Sequence, residues 1–567
     1  MNTSFKISRA SFASIGVGIA LVLSLSACPP VAPVVKELQN IIEDTTLTAG
    51  TYVARQSISV RNGAKLTILP GVTIIFEQGY SMSVEGPAKL YAVGTEANPI
   101  VLAGDEMMRG FWGGLRFNNT NSTENRLEYV IVEYGGGYYN ANLYLTGTSS
   151  NPTRAVINHC TFRQSETYGL ATAGSVTIGD FTDNVLTSNT LGAASLDANH
   201  VGFLEDTSTF TGNDVDIVDV RAGNVTADTA WSGIDAPYAI DTGVSVLAAL
   251  DIEPGAVLAF AAGHAMSVEP GGRLAAIGTA EEPILFTGAE ATRGYWGGLR
   301  FNNTNSTENR VEYVIFEYGG GYYNANVYLT GSSTNPTRVA INHCVFRHSS
   351  KFGLLTNGLV TIDGFADNTL TQNAQGAASI NADHLGFLED SSTFVGNDVD
   401  IVNVPSGNVT ADAVWAGIDA PYFINTGVSV LAALVIRPGA MLEFNTGYAM
   451  SVEPTGSLAA VGTAEAPILF AGGEATPGYW GGLRFNNTNA VANNLVHVTF
   501  EYGGGYYNAN LYITGSSMNP VRVTVTDCTF AHSAKWGIMV AGSFDVNVDI
   551  ATTNTFVDNA SGAITGV

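Results

Sequence analysis

The 567-residue chain has few cysteines, few lysines and little charge of either sign. Of its four cysteines, Cys160, Cys344 and Cys528 recur at equal steps, far apart along the chain. That spacing excludes a scaffold of local disulfides and leaves the three as small buried hydrophobes. Charged residues are 13% of the chain, with 24 Lys and Arg against 50 Asp and Glu, a formal net charge of -26. A basic footprint for nucleic acid or an anionic membrane surface is missing, which disfavours both as partners. Helical stripes are scarce too. The one of useful length is VVKELQNIIED, where Val34, Leu38, Ile41 and Ile42 share a helical face. A short capping helix over an exposed sheet end is expected there, within residues 28–48.

The first residues set the compartment. Lys6 and Arg9 precede an apolar run from Ile15 to Leu25 that is too short for a comfortable span and ends in small residues. Residues 1–27 therefore read as a cleaved export signal, whose loss takes the net charge from -26 to -28. Leu25-Ser26-Ala27-Cys28 resembles the lipobox of bacterial lipoproteins. The resemblance implies lipidation of Cys28, attachment to a membrane through that lipid and, with Pro29 rather than Asp next, display on the outer membrane or cell surface. An ordinary secretory signal with an incidental cysteine is the alternative, and it too exports the chain.

What the chain has in abundance is repetition. EYGGGYYNAN begins at Glu133, Glu317 and Glu501, and FWGGLRF at Phe111 returns as YWGGLRF at Tyr295 and Tyr479. The same step carries Pro70-Gly71 to Pro254-Gly255 and Pro438-Gly439. Two full units, 49–232 and 233–416, are followed by a shortened one, 417–567.

Within a unit, short apolar runs rich in β-branched residues, such as LTILPGVTIIF and LEYVIVEY, are bounded by Gly, Asn, Pro or Asp. They predict strands separated by turns, hence an all-β fold: propeller, tandem sandwiches or β-solenoid. Aromatic landmarks at Phe162, Phe181 and Phe210 recur at the irregular intervals that suit solenoid coils. GAKLTILPGVTIIFEQG, GTEANPIVLAG and WGGLRF followed by LEYVIVEYGG resemble the right-handed parallel β-helix surface proteins of bacteria, in the pectate-lyase-like superfamily. That scaffold hosts lyases, hydrolases and adhesins alike, so it implies a fold more than a function. With about 23 residues per coil and about 4.8 Å per rung, a unit holds about eight coils. A whole number of coils would set the three decapeptides on the same side of one rod.

Lyases of this fold use Ca²⁺ on carboxylates with Arg or Lys bases, and polygalacturonases use Asp-Asp and Gly-His-Gly signatures. Neither signature occurs here, and Lys36, Lys65, Lys89, Lys351 and Lys535 are the lysines after the signal. Histidines do not hold their places: His159 and His343 meet Asp527, and His348 and His532 meet Gln164. No catalytic residue is assigned. What recurs is an Arg/Glu pair at constant spacing, Arg116 with Glu133, Arg300 with Glu317 and Arg484 with Glu501, expected as a cross-coil ion pair. The decapeptide supplies Tyr138, Tyr139 and Asn140, then Tyr322, Tyr323 and Asn324, then Tyr506, Tyr507 and Asn508. These are either turn-covering residues or a platform for stacking a sugar ring. Asp214 and Asp216 in GNDVDIVDV alternate on one strand face beside Asn213, the start of a Ca²⁺ site or a solvated face. The expected role is structural, adhesive or glycan-binding. The alternative is a polysaccharide lyase or hydrolase.

Overall fold

The computed structural model describes residues 36–566. The segment expected to be an export signal, residues 1–27, and Cys28 and Val34 lie outside the described residues. Every paired strand runs parallel to its neighbours, and the strands form long stacked sheets along a rod. The chain is a parallel β-helix whose turns each supply three sides. Ile58–Val60, Lys65–Ile68 and Val72–Phe76 make one turn, and Met82–Glu85 then lands on the first strand, with Ile58 against Met82 and Val60 against Val84.

The period-two pattern decides which residues face in. Along Val72–Phe76 the side chains of Val72, Ile74 and Phe76 are buried and those between are not. Because rungs stack in register, like sits on like. Phe470, Phe500, Phe530 and Phe556 form one interior column with ring centroids 5.1, 5.0 and 5.5 Å apart. Corners are held by buried asparagines. Asn184 accepts from the Cys160 N–H at 2.9 Å and Asn189 from the Ser165 N–H at 3.0 Å, so backbone donors at the bends are not stranded.

The N-terminal segment is not a helix. Lys36–Glu37 pairs in parallel with Gly50–Ala54, the Leu38 N–H donates to the Val53 carbonyl, and Ile41 bridges Val60. Leu38 and Ile41 are buried while Ile42 is exposed. The sheet edge beneath offers free backbone groups, and pairing with them outweighs the local helical pattern. The only helices among the described residues are two 3-10 segments, Ala198–Phe203 and Ala382–Phe387.

The number of coils per repeat is not whole. The first side runs unbroken through thirteen strands, and the eight from Ile58–Val60 to Tyr238–Ile240 span seven turns. The next strand, Val244–Val246, is the second repeat's counterpart of Ile58–Val60 but stacks on Met266–Val268 in another sheet, while Val257–Phe260 continues the first side. Each repeat is thus seven turns and one side, about 25 residues per turn rather than 23. Leu115–Asn118, Leu299–Asn302 and Leu483–Asn486, identical in sequence, lie in three different sheets. The co-facial arrangement is overturned, because longer bends such as the 3-10 segments lengthen the average turn.

Cys160, Cys344 and Cys528 are free thiols, buried, and burial pushes each up to about 12. A thiol reagent at pH 8 should leave all three unmodified in the folded protein, as read by peptide mass mapping, and label them once guanidinium unfolds it. Rapid labelling of the native state would contradict this packing.

Candidate functional site

Each letter of the decapeptide has a place. Glu133 ends the strand Val130–Glu133, and Tyr134 turns the corner at φ 63°. Asn142, fully buried, accepts the Gly135 N–H at 2.9 Å and donates to the Arg163 carbonyl at 2.8 Å. Asn140 takes φ 55°, a left-handed turn that asparagine tolerates. A Cβ on Gly137 would stand 2.3 Å from the Gly110 carbonyl oxygen, and one on Gly114 would stand 2.4 Å from that of Ala141. The two glycine runs therefore let one bend nest on the next.

The tyrosines divide their roles. Tyr138, Tyr322 and Tyr506 are 72, 70 and 70% exposed, whereas Tyr139 is 8% exposed. Each pair meets edge to face, with centroids 5.0, 4.9 and 5.0 Å apart. The inner ring lies under an arginine: Arg116 over Tyr139 at 5.0 Å, Arg300 over Tyr323 at 5.2 Å and Arg484 over Tyr507 at 5.1 Å.

Those arginines do not pair with the glutamates that open the decapeptides. Arg300 donates to the Ser267 hydroxyl at 2.9 Å and to Glu269 at 2.7 Å, and Asn302 donates to the other Glu269 oxygen at 2.6 Å. Arg116 does the same with Ser83 and Glu85, and Arg484 with Ser451 and Glu453. Glu133 instead pairs with Arg163, Glu317 with Arg347, and Glu501 faces Ala531. Arg116 opens a turn and Glu133 closes it, so they leave from different sides and each bonds along its own sheet. Tryptophan joins the two segments: Trp112, Trp296 and Trp480 donate to the carbonyls of Glu133, Glu317 and Glu501 at 2.8, 2.8 and 2.7 Å.

Burial alone raises the Glu269 carboxyl, but hydrogen bonds from Asn302, Ser267 and Arg300 outweigh it and hold it below the usual range. Glu85 and Glu453 are lowered in the same way. Beside each outer tyrosine of the later repeats is a groove of about 290 Å³, lined by Ser267, Glu269, Arg300, Tyr322 and Tyr323 in one and by Ser451, Glu453, Arg484, Tyr506 and Tyr507 in the other. In the first repeat the Ser81 hydroxyl sits 3.2 Å from that of Tyr139, where the others have Ala265 and Ala449. The glutamates escaped the sequence reading, although Met-Ser-Val-Glu recurs at Met82, Met266 and Met450 and would have marked them.

Asp214 and Asp216 do not alternate on a strand face. Asp214 lies in a bend, not a strand, and takes both guanidinium nitrogens of Arg109 at 2.5 and 3.1 Å, while Asp216 accepts the Asn213 N–H at 2.7 Å. Asp398 binds Arg293 in the same way. No metal-sized group of His, Cys, Asp and Glu converges among the described residues. The unsteady histidine positions are corners: His159, His343 and Asp527 have φ of 52, 54 and 53°, and any residue that tolerates the bend serves.

A second polar cluster occurs at the first junction only. Buried Asp219 accepts from Ser195 at 2.7 Å and Tyr168 at 3.2 Å through one oxygen, and its other oxygen has no partner. Burial, then Asp219, pushes the Tyr168 hydroxyl up to about 12. Arg221 bonds Ser195 at 3.1 Å, and burial together with Asp219 raises the Asp241 carboxyl. The next junction has Phe352, Asn403, Pro405 and Asn425 at the matching positions. A concavity of about 670 Å³ beside Ala198–Phe203 is lined by buried His200, whose Nδ1 meets the Thr172 hydroxyl at 2.8 Å. His384 and Thr356 repeat that bond at 3.1 Å, so it belongs to the corner architecture.

Among known families, the model of a pectate-lyase like beta helix domain matches residues 39–143. No curated protein matches the chain.

Proposed function

We propose that this chain is an exported, lipid-anchored rod on the outer membrane or cell surface that holds polysaccharide without cutting it. One observation carries the reading: an exposed tyrosine ring beside a Ser-Glu-Arg-Asn network, three times over, opening on a groove of about 290 Å³ in the second and third repeats. A flat ring stacks on a sugar face, and an ionised carboxylate behind it accepts sugar hydroxyls. Each guanidinium is already engaged by its glutamate, and the net charge of -26 repels polyanions, so the fitting ligand is neutral.

The triple variant Tyr138→Ala, Tyr322→Ala, Tyr506→Ala should fold normally, since exposed substitutions usually change stability by about 0.5 kcal/mol or less. Its retardation in native gels cast with neutral polysaccharide should vanish. Unchanged retardation of the variant would end the idea. The second reading, a polysaccharide lyase or hydrolase, draws support from the Tyr168, Asp219, Asp241 and Arg221 cluster, where a carboxylate is held buried at a cost the second copy avoids. Reducing-sugar and unsaturated-product assays separate the two: turnover that Asp219→Asn abolishes would favour cutting.

A further inference from the structure

We infer that one molecule ties separate polysaccharide chains together, one at each side of the rod; this rests on the glycan-holding reading above. The three tyrosine sites share one construction, yet Arg116, Arg300 and Arg484 belong to three different sheets. From one groove to the next the chain climbs seven turns and one side, about 35 Å of rise with a third of a turn of rotation.

A sugar chain lying along one side therefore meets one groove. Seven turns beyond Leu115–Asn118, the first side presents Ile284–Gly288, a strand with neither arginine nor tyrosine, whose Thr287 hydroxyl donates to Glu317 at 3.1 Å. To reach the second groove the same polymer must leave the sheet and cross a corner, and the decapeptide bends themselves project there. Sites that cannot share one polymer gain no avidity along it. They gain bridging instead: three tyrosine sites on three different sheets engage three chains or three segments of a network.

The test uses the full-length protein with neutral hexasaccharides of glucose, xylose and mannose and their soluble parent polymers. Calorimetry with the binding hexasaccharide should give three equivalents per chain. The parent polymer should thicken or precipitate near equivalence and redissolve in protein excess. The double variant Tyr138→Ala, Tyr322→Ala should bind one equivalent with its affinity within about twofold of the native per-site value, and bridging should disappear. Three equivalents without bridging, or a native affinity for polymer more than about 100-fold above that for hexasaccharide, would mean that one chain winds through all three sites, overturning the inference alone. Failure of every neutral sugar to bind would remove the glycan reading and the inference with it.

Discussion

Trp296→Ala should cost the protein about 3–5 kcal/mol, the range for deleting a fully buried large aromatic. The indole is sealed from solvent and stacks on Phe260 at 4.4 Å with rings 11° from parallel. It also lies 6.4 Å from Phe286 and donates to the Glu317 carbonyl. Alanine leaves a cavity between two phenylalanines and an acceptor without its donor. The Trp296 carbonyl also receives the Gly321 N–H, so the bend carrying Tyr322 rests on this residue. In a solenoid each rung contacts mainly its neighbours, so the damage should be local. Hydrogen exchange should show lost protection over the rungs from Phe260 to Phe346 and little change near Phe530. Uniform loss along the rod, or a change under about 1 kcal/mol in urea denaturation, would contradict the assignment.

The second large effect separates two asparagines of one decapeptide. Asn326 is fully buried; it accepts the Gly319 N–H at 2.9 Å and donates to the Arg347 and Phe316 carbonyls at 2.9 and 3.2 Å. Asn326→Leu keeps the volume but strands those backbone groups, each costing about 1–3 kcal/mol, so a loss of about 3 kcal/mol or more is expected. Asn324, exposed at φ 62°, needs only a left-handed backbone, and Asn324→Gly should be nearly neutral. Equal effects of the two substitutions on the urea midpoint would refute this division.

The sequence carried the fold further than the site, for physical reasons visible in particular residues. Alternation in VTIIF and the recurring turn residues are local signals, and a parallel β-helix is built by repeating local units. The helix expected from Leu38, Ile41 and Ile42 failed because a sheet edge, a tertiary partner, competed for the same backbone. The ion pair failed for a related reason. Their short separation in sequence places Arg116 and Glu133 within one turn, but the partners of a solenoid residue lie one whole turn away, at Glu85 and Arg163. Registration between coils of unequal length is not written in any window of sequence, which also hid the fraction of a turn per repeat. The tyrosines were legible as a motif, whereas their division into one open and one covered ring depends on the arginine lying above the second.

The extra side per repeat has a consequence for how such a chain changes length. Near-identical tandem segments invite unequal exchange, and a gained or lost repeat would still dock, because the strand closing one repeat already stacks in register on the strand opening another. The join would be seamless, yet everything beyond it would be re-aimed by a third of a revolution. Only exchange in multiples of three segments restores the original bearing, after twenty-two turns. In this architecture, copy number is also a compass setting.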